Sequence, residues 1–188
     1  MGRSAPGILT VLLVLVVVFV SSCASSGANA ATKENPAGAS SLPEGIEKGS
    51  IPPDFTITTI EGKEISLFQL RGEKPVLLYF FATWCPYCRE DFSVVKNIYP
   101  SYADEVMFLA IDLDLDENAN VIRHYQEGEG LSKMDFARGR SDILSDYAIR
   151  YTTTKYALGK DGRIIYKGSG VFSEEQWHIL LGSLAEST

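Results

Sequence analysis

The 188-residue sequence contains few residues of the kinds that build metal centres or nucleic-acid interfaces. It has three cysteines, two histidines, and 17 lysines and arginines against 24 aspartates and glutamates, for a formal net charge of −7. The basic residues form no cluster, so neither nucleic acid nor an anionic lipid surface is expected as the main partner. Neither histidine matches a cluster of cysteines or carboxylates, and only one pair of cysteines is closely spaced. Because a structural zinc site needs four ligands, no metal site is predicted.

The sequence also lacks an apolar run long enough to span a bilayer comfortably. Residues 8–20 are apolar except for Thr10, a length typical of the apolar part of a secretory signal peptide. The Val-Ser-Ser-Cys that ends at Cys23 comes directly after this run and resembles the lipobox of bacterial lipoproteins. Residues 1–22 are therefore predicted to be a lipoprotein-type signal peptide, with Cys23 as the lipidated new N-terminus. Cleavage after Ala30 in an A-x-A site, or retention of the apolar run as an uncut membrane anchor, remain open alternatives. All three export the domain.

Residues 23–49 contain little that could be buried. Their composition is Ala, Ser, Gly, Asn and Pro with scattered charges, which is typical of a flexible tether. Such a tether would let a domain reach across the membrane surface and would raise the local concentration of membrane-bound partners. Residues 50–188 are predicted to fold as one domain, because roughly 140 residues suffice for a proper core.

The most informative stretch is the pair Cys85 and Cys88, which Pro86 and Tyr87 separate, just after an apolar strand pattern. Pro86 is predicted to be the first residue of a helix, where its missing N–H carries no penalty. Cys85 then lies at the helix start, where unpaired backbone N–H groups and the helix dipole favour its thiolate form. We expect Cys85 to attack a disulfide as the nucleophile and Cys88, one turn further in, to resolve the mixed disulfide. No cofactor is expected beyond the redox-active disulfide that the two cysteines form.

The rest of the domain has the pattern of an α/β protein. Apolar and alternating runs predict strands at 56–60, 65–67, 76–81, 106–111, 155–158 and 163–167. Helical spacing predicts helices at 86–99, at 120–126, at 142–149 and after Ser173, with one short turn at 68–70. Pro100 should bend or end the first long helix, and Ser173 with Gln176 makes a capping box for the last one. Residues 131–138 are only weakly patterned.

Several motifs of the domain occur together in one known family. They are Pro53-Asp54-Phe55-Thr56, the run from Pro75 to Phe81 that leads into Ala82-Thr83-Trp84-Cys85, and Asp161-Gly162 before the final strand. With them the chain resembles the thioredoxin superfamily, and within it the membrane-tethered TlpA/ResA-like thiol–disulfide oxidoreductases, from about Ser50 to the C-terminus. The resemblance implies a thioredoxin-like fold, with a central mixed sheet flanked by helices; the extra N-terminal β-hairpin precedes it. It also implies dithiol exchange with exported cysteine-containing proteins, fed by a membrane electron donor. Relatives often keep apocytochrome c reduced, so cytochrome c maturation is a candidate role.

The resemblance also singles out Asp91 and Tyr79. Asp91, three residues after Cys88, matches a position where relatives often carry a glutamate near the active site, and a carboxylate there could shuttle the proton of Cys88. An exposed acidic residue near the helix start is the alternative interpretation. Tyr79 lies where other thioredoxins bury an aspartate, so that proton relay is predicted to be absent and Tyr79 to be part of the core.

The loop opposite the cysteines departs from the family. Thr153 occupies the position of the family's cis-proline, and no proline lies nearby. Either a strained cis bond precedes Thr153 or the loop has a different shape. Thr152 and Thr153 would then offer the backbone edge that pairs with a bound substrate strand. Trp84, Pro86 and Tyr87 complete the predicted substrate-binding residues.

Together these features predict a monomeric, exported, membrane-tethered thiol–disulfide oxidoreductase, with reduction favoured over oxidation. It would act at the extracytoplasmic face of a bacterial membrane, in the periplasm if the host has an outer membrane. Two other functions stay open: copper delivery by the two thiols, with His124 as a further ligand, and a docking domain without catalysis. Ala82 lies where a peroxiredoxin-type peroxidase would carry Thr or Ser, which argues against peroxide as the main substrate.

Overall fold

The computed structural model describes residues 43–187, in which a five-stranded sheet lies between two layers of helices. The strands are β1 (Thr56–Thr58), β2 (Glu64–Ser66), β3 (Val76–Phe81), β4 (Met107–Asp112), β5 (Asp135–Arg138), β6 (Thr154–Leu158) and β7 (Ile164–Gly168). The helices are α1 (Leu67–Leu70), α2 (Pro86–Ile98), α3 (Ala119–Glu129), α4 (Ser141–Asp146) and α5 (Glu174–Ala185), with a 3₁₀ turn at Tyr99–Ser101. The predicted signal peptide, Cys23 and most of the predicted tether lie outside the described residues.

The strand order β5-β4-β3-β6-β7 places β3 at the centre of the sheet. β3 runs parallel to β4 and antiparallel to β6, while β5 is parallel to β4 and β7 is antiparallel to β6. Every residue of β3 is buried, as expected for a strand that is covered on both faces. β1 and β2 form a separate antiparallel pair. The predicted fold class, a mixed sheet flanked by helices with an N-terminal hairpin, is confirmed.

Alternate residues of β3 belong to two different apolar layers, because side chains alternate across a strand. Leu77, Tyr79 and Phe81 pack in the layer that contains α2, α3 and α5, where Phe92 and Trp177 are among the largest side chains. The other residues of β3 pack with α1, α4 and the hairpin. Since α2 starts soon after β3 ends, the link between them lies at the carboxyl end of the central strand.

Local signals correctly located several element boundaries. α2 begins at Pro86, and the 3₁₀ turn that contains Pro100 replaces it after three and a half turns. α5 begins with the predicted capping box of Ser173 and Gln176, in which both reciprocal hydrogen bonds are present. α3 continues beyond the predicted end until Gly130, whose φ of 73° is accessible to glycine at low cost.

β5 is a strand that the sequence pattern did not predict. Its four residues include Asp135 and Arg138 at the ends and only two apolar residues between them. β5 pairs in parallel with β4 at the edge of the sheet. Pairing with a neighbour distant in sequence therefore determines this strand, and the local pattern does not.

The segment before β1 contacts the final hairpin. The N–H of Gly49 donates to the carbonyl oxygen of Ile164 at 2.8 Å, and the N–H of Ile164 donates to the carbonyl oxygen of Ser50 at 2.9 Å. Lys167 on β7 also forms an ion pair with Glu47 at 2.8 Å. The last residues of the range predicted as tether thus lie against β7. Among residues 43–187, no helix is both long enough and apolar enough to cross a membrane.

Candidate active site

Cys85 is the N-cap of α2, at the point where the chain has just left β3. Its Sγ accepts a hydrogen bond from the backbone N–H of Cys88 at 3.1 Å, one of the donors that a helix start leaves free. The same sulfur lies 3.2 Å from the hydroxyl oxygen of Thr152. The sulfur thus accepts from the helix start and donates to the Thr152 hydroxyl oxygen, which fixes its position between α2 and the loop before β6. Only 2% of Cys85 is exposed, and a substrate must therefore dock closely to reach it.

Cys88 lies one turn further along α2 and is fully buried. Burial first, and then its hydrogen bond with Cys85, raise the pKa of Cys88 to about 12, although the backbones of Ala82 and Thr153 partly oppose this shift. The Cys88 thiol is therefore neutral near pH 7. Since the thiolate is the nucleophile in disulfide exchange, a base has to remove this proton before Cys88 can react.

Asp91 lies on the inner face of α2 and is fully buried. Four donors surround its carboxylate. Oδ2 accepts from the hydroxyl of Tyr79 at 2.9 Å and from the ammonium of Lys155 at 2.7 Å. Oδ1 accepts from the N–H of Phe172 at 2.8 Å and from Nε1 of Trp177 at 3.2 Å. The alternative of an exposed acidic residue at this position is therefore wrong.

Lys155 supplies the counter-charge for Asp91 and is itself fully buried in β6. Its ammonium also donates to the carbonyl oxygens of Thr153 at 3.1 Å and Gly170 at 2.6 Å, so each of its three protons has an acceptor. Three aromatic rings have their centroids within 5.2 Å of the nitrogen. Burial lowers the pKa of Lys155, and the charge of Asp91 opposes that effect.

Tyr79 is part of the core, as predicted, but its hydroxyl is also part of this polar cluster. Burial first, and then the charges of Asp91 and Cys88, raise the pKa of Tyr79. The hydroxyl therefore remains a donor to Asp91. Because β3 carries tyrosine at this position, the sequence predicts that the strand aspartate of other thioredoxins, and the proton relay through it, is absent. In the structure α2 supplies a carboxylate to this place instead.

The loop of residues 151–154 contacts the cysteine pair through Thr152. Its backbone conformation differs from the one that a proline at position 153 would give. Thr153 has a φ of 60°, a left-handed conformation that β-branched residues rarely adopt. A proline ring holds φ near −65°, so the loop does not have the shape that a proline at this position would impose. The hydroxyl of Thr153 accepts from the N–H of Gly170 at 3.0 Å and donates to the carbonyl oxygen of Thr152 at 2.5 Å.

Exposed aromatic side chains lie next to both stretches of chain that form the site, the cysteine motif and the loop of residues 151–154. Trp84 is 62% exposed, Tyr87 is 64% exposed, and Tyr151, next to the loop threonines, is 71% exposed. Pro86 is exposed as well. Nε1 of Trp84 donates to the carboxylate of Asp114 at 2.8 Å, and this bond lowers the pKa of Asp114. Large apolar surfaces are thus available to a docking partner.

A second buried carboxylate lies at the end of β4. Asp112 is opposite Phe81 in the sheet register and is fully buried. Burial first, and the charge of the nearby Glu117, raise the pKa of Asp112 to about 8. Among the described residues, Oδ2 of Asp112 and Oε2 of Glu117 have no donor. The other oxygen of Glu117 accepts from Thr83, two residues before Cys85.

Sequence reasoning missed Lys155 and Tyr151. A signal for Lys155 was present, because a lysine in a predicted inner strand needs a buried anion, and β6 pairs Lys155 with Tyr79 of the central strand. The sequence carries no such signal for Tyr151, because no local pattern shows that this loop lies opposite the cysteine pair in the folded chain. Cys23 lies outside the described residues. Within residues 43–187, no three His, Cys, Asp or Glu side chains form a group that could hold a metal ion.

Comparison with known proteins gives a consistent assignment. The model of the AhpC/TSA family matches residues 49–167. The thiol–disulfide oxidoreductase ResA of Bacillus cereus (strain ATCC 10987 / NRS 248) is 30% identical over 133 residues, which cover 71% of this chain and 76% of ResA. The thioredoxin-like protein YneN of Bacillus subtilis is 30% identical over 121 residues, which cover 64% of this chain and 70% of YneN.

A solved structure agrees with this assignment at the level of the fold. The thioredoxin domain of a thiol–disulfide oxidoreductase from Bacteroides vulgatus matches 73% of this chain and 98% of its own length, with a TM-score of 0.62 and 19% identity. The family match covers most of the chain, and it includes the whole link from β3 to α2 that carries the cysteines. The chain therefore belongs to the AhpC/TSA family, among its thioredoxin-like thiol–disulfide oxidoreductases related to ResA.

Proposed function

We propose that this protein is an exported, membrane-tethered enzyme that reduces disulfides of other exported proteins with the dithiol of Cys85 and Cys88. The observation that carries the proposal is the position of the Cys85 sulfur, which lies between the N–H of Cys88 at 3.1 Å and the hydroxyl of Thr152 at 3.2 Å. A backbone N–H at a helix start stabilises the negative charge that the sulfur carries during thiol–disulfide exchange, and the Thr152 hydroxyl keeps the sulfur in place beside it. The names of the relatives support the same chemistry.

The reaction proceeds in two exchanges that balance without a cofactor. The thiolate of Cys85 attacks one sulfur of a substrate disulfide, forms a mixed disulfide and releases the other substrate sulfur as a thiolate. The thiolate of Cys88 then attacks the sulfur of Cys85 and releases the second substrate thiolate. The substrate disulfide has then been reduced by two electrons to two thiols, and the enzyme dithiol has been oxidised to a Cys85–Cys88 disulfide. A membrane electron donor must then reduce that disulfide.

Asp91 is the proposed base for the second exchange. Cys88 is neutral near pH 7, because its pKa is raised to about 12, and it needs a proton acceptor close by. Asp91 follows Cys88 by three residues on the buried face of α2, and its carboxylate also accepts a hydrogen bond from Tyr79 at 2.9 Å. In the reverse direction the same carboxyl group would return the proton.

The substrate is proposed to dock as an extended strand on the loop threonines. Thr152 and Thr153 would offer their backbone edge to the residues that flank the substrate cysteine. Trp84, Pro86 and Tyr87 would contact the substrate from the side of α2. Their exposure of apolar surface beside a nearly buried sulfur favours a protein chain over a small solute.

The cellular setting follows from the N-terminal sequence. Lipidation at Cys23 would hold the domain at the extracytoplasmic face of a bacterial membrane, and residues 23–49 would give it reach. Partners there include exported proteins with cysteine pairs, and apocytochrome c is one candidate because its cysteines must be reduced before haem attachment.

Trapping of mixed disulfides tests the function. A Cys88→Ser variant should accumulate mixed disulfides with specific exported proteins, because the resolving thiol is missing, and a Cys85→Ser control should trap none. The reduction potential of the wild-type pair should lie near the roughly −270 mV of thioredoxin and not near about −120 mV, the value of a strong oxidant. If no partner is trapped and the wild type binds one equivalent of copper, the copper-delivery alternative replaces the proposal.

A further inference from the structure

Lys155 connects three parts of the site that are separate in sequence. Its ammonium binds the carboxylate of Asp91 on α2 at 2.7 Å, the carbonyl oxygen of Thr153 at 3.1 Å and that of Gly170 at 2.6 Å. Lys155 is fully buried, so water cannot replace any of these contacts without opening the core. Two of the three acceptors are backbone carbonyls that lie outside α2, so the ammonium joins the loop before β6 and the segment after β7 to Asp91.

The contact with Thr153 falls on the strained residue of the loop. Thr153 has a φ of 60°, and a non-glycine residue keeps this conformation only where its surroundings hold it. Two hydrogen bonds hold Thr153 here. The ammonium of Lys155 donates to the carbonyl oxygen of Thr153, and the hydroxyl of Thr153 accepts from the N–H of Gly170. The neighbouring Thr152 carries the hydroxyl that reaches the sulfur of Cys85.

We propose that Lys155 is a positioning residue that holds the substrate-docking loop at a set distance from the carboxylate behind Cys88. The inference rests on the proposed function and adds a residue to it. Through Lys155 the loop that receives the substrate backbone and the group that takes the Cys88 proton form one rigid unit. Removal of the ammonium should therefore weaken docking of a peptide chain more than it weakens the reactivity of the Cys85 sulfur itself.

The test separates these two effects in a Cys88→Ser background, in which only the attack by Cys85 is measured. The reagents are 2-hydroxyethyl disulfide, which has no peptide backbone, and a disulfide that joins two short peptides. Lys155→Met keeps the length and the apolar stem of the side chain. It should slow attack on the peptide disulfide by about tenfold or more, while attack on the small disulfide changes by less than about threefold. Lys133→Met, at an exposed lysine in the turn before β5, is the matched control and should leave both rates unchanged.

A second variant keeps the test valid if Lys155→Met folds poorly, because that change leaves Asp91 buried without a counter-charge. The double variant Lys155→Met with Asp91→Asn removes both charges and should recover the unfolding midpoint. It should not recover the rate with the peptide disulfide, since the loop still lacks its anchor. Asp91→Asn alone, in the enzyme with both cysteines, should slow release of the mixed disulfide, because the proposed base is missing.

The outcomes are distinct. An equal loss with both disulfides, or full recovery of the peptide rate in the double variant, would show that Lys155 only balances the charge of Asp91 and would overturn the inference. If the Cys88→Ser protein without other changes forms no mixed disulfide with either reagent, the proposed function itself fails, and that result is independent of Lys155.

Discussion

Two buried carboxylates of the domain, Asp91 and Asp112, have opposite surroundings. Asp91 has four donors, one of which is the ammonium of Lys155, so its negative charge is fully compensated. Asp112 shares its site with Glu117 and has a pKa raised to about 8 by burial. Burial without a cation favours the neutral form of an acid, and burial with a cation does not. The same residue type is therefore charged in one buried place and favoured in its neutral form in another.

Asp112 should make stability depend on pH. The pKa of Asp112 is raised from 3.8 to about 8 in the folded chain, so between these values the folded state binds a proton that the unfolded state has released. Its contribution is fully present below about pH 4 and is lost as the pH rises toward 8, with a slope of at most about 1.4 kcal/mol per pH unit. Asp112→Asn should remove this slope in urea unfolding measured from pH 5 to 8. Asp116→Asn, at an exposed neighbour, should retain it, and equal slopes in wild type and Asp112→Asn would contradict the assignment.

At the scale of elements, the site is the meeting point of a helix start and a loop. α2 places Cys85 at its N-cap and the buried Cys88 and Asp91 on one face, which follows from helical spacing. The loop before β6 approaches from the other side and touches Cys85 through Thr152. The left-handed conformation of Thr153 sets the direction in which this loop leads into β6. Hydrogen bonds from Lys155 on β6 and from Gly170 after β7 stabilise that conformation.

Thr153→Pro should therefore disturb the loop and not restore a family-like one. Proline cannot adopt a φ of 60°, so we expect a loss of more than about 1 kcal/mol in the free energy of unfolding and slower reduction of peptide disulfides. Thr153→Gly is the matched variant, because glycine adopts positive φ without strain, and it should lose less on both counts. The measurements are chemical denaturation and stopped-flow exchange. A Thr153→Pro protein with unchanged stability and unchanged partner rates would show that the loop conformation does not matter for partner choice.

At the scale of the whole molecule, a compact acidic domain follows an N-terminal region that is predicted to deliver it to a membrane. The chain has a formal net charge of −7 and no basic cluster, so a basic surface is not the means of membrane contact that the sequence predicts. Attachment would thus depend on the N-terminus alone. A lipid at Cys23 combined with the tether would confine the domain to partners at the membrane surface.

Cys23→Ser tests this arrangement in the cell. The variant should leave the membrane fraction and lose the incorporation of labelled fatty acid, while purified protein keeps its exchange activity, because Cys23 is proposed as the lipid attachment site and not as a redox thiol. Ala30→Asp, which blocks the rival A-x-A cleavage site, should change neither property. Retention of Cys23→Ser in the membrane fraction would instead support an uncut apolar anchor.

The sequence by itself was sufficient for the features that depend on neighbours along the chain. The β3 strand, the start of α2 at Pro86, the capping box of Ser173 and the final hairpin all follow from local patterns, because dihedral preferences and side-chain periodicity act over a few residues. The cysteine spacing indicated thiol–disulfide exchange for the same reason, since the reaction needs two sulfurs one helical turn apart.

Only the tertiary structure decided what surrounds those sulfurs. Asp91 became a buried, four-donor carboxylate because Lys155, Tyr79 and Trp177 reach it from elements far apart in sequence. The edge strand β5 and the left-handed Thr153 likewise depend on pairing and hydrogen bonds with distant segments. Burial, counter-charge and backbone strain are properties of the assembled core, and no stretch of the chain determines them alone.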